Sequence, residues 1–353
     1  MTTTPPGQRD ARRDSEFFED MLSQYSATTN TALWEAIPDG GPPYLYDLVS
    51  VYPSRSSKGL RPALCLAACA ALGGNHNRAL QSAVAIELLH NGFLIHDDVQ
   101  DESLARRGGA TLHSEHGVGI AVNVGNATNL LALLRLMENR QLLGPEISWR
   151  VFEQTALMMR HSLEGQAIEI GWIRDNVCNL TARDYLHMCL KKTSWYSFIY
   201  PLTVGAIMAR GALHTHAQFH RFGWYVGAAF QIQDDILNLT GDFETYGKEI
   251  GGDLWEGKRT LMLIQLMNTC TPDEGKDVKA FLAKSRSERT QADVRSVYDL
   301  MVKYGSVDFA RRAARQLAGA ALIEALALSR EWPDSTHKRF ILGTPLYVVT
   351  RDR

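Results

Sequence analysis

Two short acidic patches stand out from apolar surroundings. Asp97 and Asp101 are four residues apart in HDDVQD with Asp98 between them, and Asp234 and Asp235 follow AAFQIQ, with Asn238 four residues after Asp234 and Asp242 a further turn on. On a helix, a four-residue spacing puts two carboxylates on one face. Like charges so placed repel, and beside an apolar turn such as FLI they are costly unless cations or basic side chains neutralise them. Oxygen ligands that keep some water suit Mg²⁺, which is most often held by carboxylates together with phosphate oxygens. One such patch alone reads as a solvated helix end; two, each set in apolar sequence, point to a shared cation-binding cavity.

Basic residues supply the counterpart. Lys58 and Arg61 flank the turn KGLRP, Arg106 and Arg107 follow the first patch, Lys191 and Lys192 precede Thr193, and Lys248 and Lys258 lie in YGKEIGGDLWEGKRT after the second patch. Each alone is an ordinary solvated surface feature, so only the arrangement carries weight. Acid and base gathered near one cavity suit a polyanion held by metal at one end and by arginine or lysine at the other. His96, next to Asp97, reads as a structural histidine rather than a general base. The five cysteines form neither an even framework nor a CxxC pair, so they read as buried thiols of a reducing compartment.

The elements that must position these residues are helical. With 45% hydrophobic and 22% charged residues and 12 prolines in 353, the chain is neither collagenous nor disordered. Lys plus Arg is 37 against 39 Asp plus Glu, a formal charge of -2, which gives no global basic field to collect a nucleic acid. Helical periodicity begins near Phe17, continues through RPALCLAACAALGG, ALQSAVAIELLHNGFLIHDDVQDE and NVGNATNLLALLRLMENRQLL, and recurs at about 146–172, 181–210, 215–240, 258–268, 274–284, 290–303 and 305–328. No run alternates with period two for long enough to build a sheet. The expectation is a flexible tail over residues 1–15 and a single all-α domain over 16–353. The N-terminus lacks a signal-peptide core and no later run reaches the roughly 18 apolar residues of a membrane span, which predicts a cytoplasmic protein without integral membrane association.

The chain resembles the trans-type, head-to-tail isoprenyl diphosphate synthases, or polyprenyl synthetases, and most of all a bacterial geranylgeranyl diphosphate synthase. The similarity runs from about residue 40 to 330 and is carried by KGLRP at 58–62, LLHNGFLIHDDVQDESLARRG at 88–108, KKTSW at 191–195, FQIQDDILNLTGD at 230–242 and GKEIGGDLWEGKRT at 247–260. The resemblance implies an all-α isoprenoid synthase fold around a deep cavity, a homodimer, and Mg²⁺-dependent condensation of isopentenyl diphosphate with an allylic diphosphate. By the same resemblance, Asp97, Asp101 and Asp234 are direct ligands of three Mg²⁺ ions, with Asp98 and Asp235 as supporting carboxylates of the metal site. Arg106, Lys192 and Lys258 hold the allylic diphosphate, and Lys248 belongs with this catalytic set. Lys58, Arg61, His90 and Arg107 hold the diphosphate of isopentenyl diphosphate. Thr193 and Gln231 line the reaction centre, unless they only make a hydrogen bond between helices.

Product length in this family follows the side chains just before the first motif. Phe93, one turn before Asp97, is expected to project below the catalytic centre, while Gly92 offers no obstacle, which favours a C20 product over farnesyl or long-chain products. Three departures stand out: Ser56 and Ser57 replace the usual glycines before Lys58, Asn126 stands where aspartate is common, and Asn238 replaces the last aspartate of the second motif. The alternatives are a terpene cyclase on the same scaffold, which has no use for the second anion site, and a noncatalytic regulatory subunit, which has no use for intact aspartates.

Overall fold

The computed structural model describes residues 6–55, 57–211, 216–240 and 251–351. In chain order its helices are α1 (Pro6–Trp34), α2 (Tyr46–Val49), α3 (Val51–Ser54), α4 (Leu60–Ala71), α5 (Leu80–Gln100), α6 (Leu112–His116), α7 (Val118–Leu143), α8 (Pro145–Arg174), α9 (Ala182–Cys189), α10 (Tyr200–Arg210), α11 (His216–Thr240), α12 (Gly252–Glu256), α13 (Leu261–Thr269), α14 (Pro272–Ala283), α15 (Gln291–Lys303), α16 (Ser306–Leu328) and α17 (Thr336–Thr350). A π-helical segment, Leu190–Ile199, joins α9 to α10. Two-residue strands Ala105–Arg106 and Gly109–Ala110 pair antiparallel, with Ala105 opposite Ala110. The fold is all-α, as the periodicity predicts.

Burial explains the arrangement. Every residue of α5 from Ser82 to Gly92 is buried, so this helix threads the core rather than lying on it. It pairs most extensively with α7, α4 pairs with α10, and α11 pairs with α16. Two apolar clusters result: one gathers Tyr52, Leu64, Leu88, Phe198, Phe222 and Phe340, and the other Tyr185, Ile236, Leu263, Phe281 and Met301. α11 runs through both, with Phe222, Val226 and Ala229 in the first and Ile232, Ile236 and Leu239 in the second. Its acidic patch therefore lies at the seam between two cores. Capping boxes at Thr181, Thr271 and Thr290 fix where α9, α14 and α15 begin.

Three features differ from the sequence expectation. α1 starts at Pro6, inside the segment read as a tail: proline is tolerated in a first helical turn, and the turns beyond are anchored by Phe18, Met21, Leu22 and Tyr25 in the core. α17 carries Pro345 in its interior, the breaker that hides this helix from periodicity. α7 is, among the described helices, long and apolar enough to cross a membrane by length and mean hydropathy, where no such run was expected. One side of α7 instead packs along α5, and Asn139 near its C-terminal end donates to Ser82 at 2.9 Å.

Candidate active site

The C-terminal half of α5, the entry to α4, the β-turn, α8, the π segment, α11 and the chain end enclose a cavity of about 510 Å³. Asp97, Arg106, Lys192, Thr193, Gln231, Asp234, Asp235 and Lys258 line it, and so do Lys58, Arg61, His90 and Arg107. Asp98 and Asp101 are not among the lining residues but are tied to arginine and lysine that are. Lys248 and Ser56 lie outside the described residues, as does Asp242.

The carboxylates of the first patch are not equivalent. Asp97 accepts from Gln166 Nε2 at 3.1 Å and from Lys192 Nζ at 3.4 Å, and its other oxygen is 3.7 Å from Arg106. Asp101 accepts from Lys258 at 2.6 Å. Asp98 is 1% exposed and has both oxygens engaged, one by Arg106 Nε at 2.8 Å and Nη2, the other by the Tyr52 hydroxyl. The geometry thus makes Asp98 the anchor of Arg106. The second patch repeats this division. Asp235 is closed by Tyr185 Oη at 2.7 Å and Gln231 Nε2 at 2.8 Å, while Asp234 reaches Arg351 at 3.1 Å. Thr193 donates to Gln231 Oε1 at 2.6 Å, so the hydrogen bond between helices and the lining role coexist in one chain from Thr193 through Gln231 to Asp235.

Burial sets the charge balance. Desolvation pushes Asp101 up to about 7 against the pull of Lys258, with Asp97 and Glu256 adding to the rise. Burial also opposes the charge of Lys192, but Asp97 and Glu169 outweigh it and hold the ammonium above its ordinary range. Lys258 is likewise held up, against burial, by Asp101 and Glu256. An acid whose folded pKa lies above its unfolded value loses stability as pH rises from about 4 through 7. Asp101→Asn removes that loss, so its melting temperature relative to the native chain should be more favourable at pH 8 than at pH 5 without divalent cations. A difference that is flat or opposite in sign would show that Lys258 already compensates Asp101.

The second basic set converges on His90. Arg61 Nη1 and Arg107 Nη2 lie 3.2 and 3.4 Å from His90 Nε2, and guanidinium has no acceptor, so the imidazole nitrogen accepts from both. Arg61 stacks on Tyr196 at 4.6 Å and donates to its hydroxyl at 2.9 Å. Arg107 is held at φ 50° by bonds to the Tyr52 carbonyl at 3.0 Å and Asn91 at 3.2 Å. Burial pushes its guanidinium down against the pull of Glu87, and Arg106 and Arg61 add to the fall.

The π segment brings Lys192 and Thr193 to the cavity by close packing on both sides. A Cβ on Gly165 of α8 would overlap the Lys192 backbone, and one on Gly227 of α11 would overlap Ser194. The departures have local explanations where they are described. Ser57 donates to Glu87 at 3.0 Å, and Asn238 Oδ1 accepts the Asp253 backbone N–H at 2.9 Å, pinning the start of α12 to α11. Asn126 is exposed on α7 and does not line the cavity. Gly92 faces α7, where a side chain would collide with Asn129, and Phe93 does not line the cavity but packs edge-on at 5.6 Å against Tyr196, which does. His96 packs over Gly125 of α7, a structural placement.

A family model for polyprenyl synthetases matches residues 42–301. The chain belongs to the polyprenyl synthetase family. It is 30% identical over 84% of its length to a short chain isoprenyl diphosphate synthase of Methanothermobacter thermautotrophicus, covering 88% of that protein. It is 28% identical over 96% of its length to an octaprenyl diphosphate synthase of Escherichia coli, covering 99% of it. A polyprenyl synthase of Caulobacter crescentus, crystallised with calcium and isoprenyl diphosphate, superposes with a TM-score of 0.85 at 26% identity, over 96% of this chain and 98% of that one. Such relatives are archaeal and bacterial and differ in product, so they place the chain in the family rather than in a bacterial geranylgeranyl subgroup. Membership carries the family's activity, Mg²⁺-dependent head-to-tail elongation of a prenyl chain.

Several residues in or beside the cavity of this polyprenyl synthetase chain escaped the motif reading. Glu169 pairs with Lys192, Glu87 sits beside Ser57, Gln166 holds Asp97, and Arg351 reaches Asp234. A glutamate inside an otherwise apolar helix was the available signal for Glu87, which is 3% exposed; Arg351, third from the chain end, carried none.

Proposed function

We propose that this chain condenses isopentenyl diphosphate with an allylic diphosphate to give a short all-trans prenyl diphosphate, geranylgeranyl diphosphate being the favoured product. The observation that carries the reading is one cavity lined by two cationic sets, Arg106, Lys192 and Lys258 beside the aspartates, and Arg61 and Arg107 at His90 with Lys58 also on the wall. A terpene cyclase has no use for the second set.

Mg²⁺ fits the donors present. Among the described residues, no three acidic, histidine or cysteine side chains converge closely enough to enclose an ion. That suits a cation which keeps waters and completes its shell with substrate phosphate oxygens. Asp101, pushed up to about 7 by burial despite Lys258, is an acid still short of positive charge. Asp97, Asp101 and Asp234 would hold the metal, which when bound supplies charge to the diphosphate oxygens as the allylic C–O bond ionises. Arg106, Lys192 and Lys258 hold the same diphosphate and stabilise the charge it gains on leaving. Leu94, Tyr196 and Phe230 keep water from the carbocation, and Thr193 and Gln231 turn dipoles toward it. Lys58, Arg61 and Arg107, the last two positioned by His90, hold isopentenyl diphosphate so that its C=C attacks C1; a proton then passes to the departing diphosphate and restores a double bond.

The test is incubation with Mg²⁺, isopentenyl diphosphate and dimethylallyl, geranyl or farnesyl diphosphate, with dephosphorylated products read by mass. A C20 prenol is the expected result, and a hydrocarbon formed from the allylic substrate alone would overturn the reading. Because Phe93 supports Tyr196, Phe93→Ala should let that ring retreat and shift products to C25 or longer; an unchanged product length would remove Phe93 as the determinant.

A homodimer belongs to the same proposal. The outer faces of α7 and α8 expose Leu130, Leu134, Met137, Trp149, Phe152 and Leu163, more apolar surface than a solvated pair of helices normally carries. Leu134→Asp should give a monomer by sedimentation; a native-sized dimer would place the interface elsewhere.

A further inference from the structure

Beyond Thr350, the end of α17, Arg351 is fastened to α11 at several points. Its guanidinium lies 4.0 Å over the Phe230 ring, Nη2 is 3.1 Å from Asp234 Oδ1 and 3.5 Å from the Phe230 carbonyl, and its own carbonyl accepts from Gln233 Nε2 at 3.3 Å. The Arg351 side chain is 8% exposed, lines the cavity, and has a buried Nε with no hydrogen-bond partner. Each carboxylate of the first patch has a basic partner from within the cavity wall: Asp97 has Lys192, Asp98 has Arg106 and Asp101 has Lys258. Among the described residues, Arg351, from beyond the last helix, stands at salt-bridge distance from Asp234.

We propose that Arg351 is a resident counter-ion of Asp234, a C-terminal clasp that a divalent cation must displace to gain this carboxylate. This rests on the reading of Asp234 as a metal ligand. A guanidinium and a divalent ion bound to one carboxylate repel each other at close range in a cavity of low dielectric. Stacking on Phe230 holds the guanidinium and the Gln233 bond to the Arg351 carbonyl holds its backbone, so the exchange has a cost that a freely moving lysine would not impose. The displaced guanidinium remains at the cavity wall with unused donors, and metal entry therefore converts Arg351 from a carboxylate partner into an added cation for a bound phosphate.

Mn²⁺ titration followed by the paramagnetic resonance of the free ion tests this without turnover, on the full chain. Arg351→Gln should bind Mn²⁺ about fivefold more tightly than the native chain, Asp234→Asn more weakly, and the double variant like Asp234→Asn alone, because without the carboxylate there is nothing to compete for. Arg351→Lys should fall between native and Arg351→Gln. In the native chain, saturating Mn²⁺ should speed amide exchange over residues 346–351, a readout that needs no variant. Equal or weaker Mn²⁺ binding by Arg351→Gln, with Asp234→Asn still weakened, overturns the clasp alone. Binding indifferent to Asp234→Asn overturns the ligand reading and the clasp together.

Discussion

Asp97→Asn should fold like the native chain and turn over about a thousandfold more slowly. Asp97 borders the cavity and its side chain is 22% exposed, so the amide adds no buried desolvated group. Asparagine still offers Gln166 an acceptor, and Lys192 keeps Glu169. The change removes one negative charge and one hard oxygen donor from the place where cation and diphosphate would meet. Steady-state kinetics across a wide Mg²⁺ range, with a thermal melt on the same preparation, separates chemistry from folding. A kcat within tenfold of native at saturating Mg²⁺ would remove Asp97 from the ligand set.

One residue further on, the expected effect moves from chemistry to the fold. Asp98→Ala leaves Arg106, whose side chain is 7% exposed, with Asp97 at 3.7 Å in place of its hydrogen-bonded carboxylate, and the Tyr52 hydroxyl without its acceptor. Truncating one partner of a buried ion pair typically costs about 3–5 kcal/mol, because the remaining charge stays desolvated and unpaired. Urea denaturation should therefore show a markedly lower midpoint for Asp98→Ala and nearly none of that loss for Asp97→Asn. If Asp98→Ala unfolds with the native chain, Arg106 has found another partner and the anchoring role is wrong.

This contrast between adjacent aspartates marks how far the sequence could be read. Spacing was enough to find both patches, since i, i+4 carboxylates need only a helix to share a face, and the apolar flanks showed that they border a core. It could not tell which aspartate turns inward, because that depends on Tyr52 and Arg106 for Asp98 and on Tyr185 for Asp235, residues brought near by tertiary packing across as many as 50 positions. Glu169 and Gln166 were hidden similarly: both sit on α8, whose pattern looks like any long amphipathic helix until Gly165 brings it against Lys192. The long helices over 145–328 were legible from periodicity, while α12 is too short to show a period, α17 was masked by Pro345 and the first turns of α1 by polar composition. Both are secured by partners distant in sequence, as the Arg339 to Asp14 pair at 2.6 Å between them shows.

The open arrangement of Asp97, Asp101 and Asp234, on two helices rather than around one point, has a consequence for how the protein responds to its surroundings. A cage of converging carboxylates would stay loaded with ion whether or not substrate was present. In the proposed arrangement each ligand completes the binding site of the other, so cation and diphosphate would raise one another's affinity by the same factor. The chain would then behave as a coincidence detector: scarcity of either input would leave it idle, and the free Mg²⁺ level would set how readily a given concentration of prenyl diphosphate is committed to a longer chain.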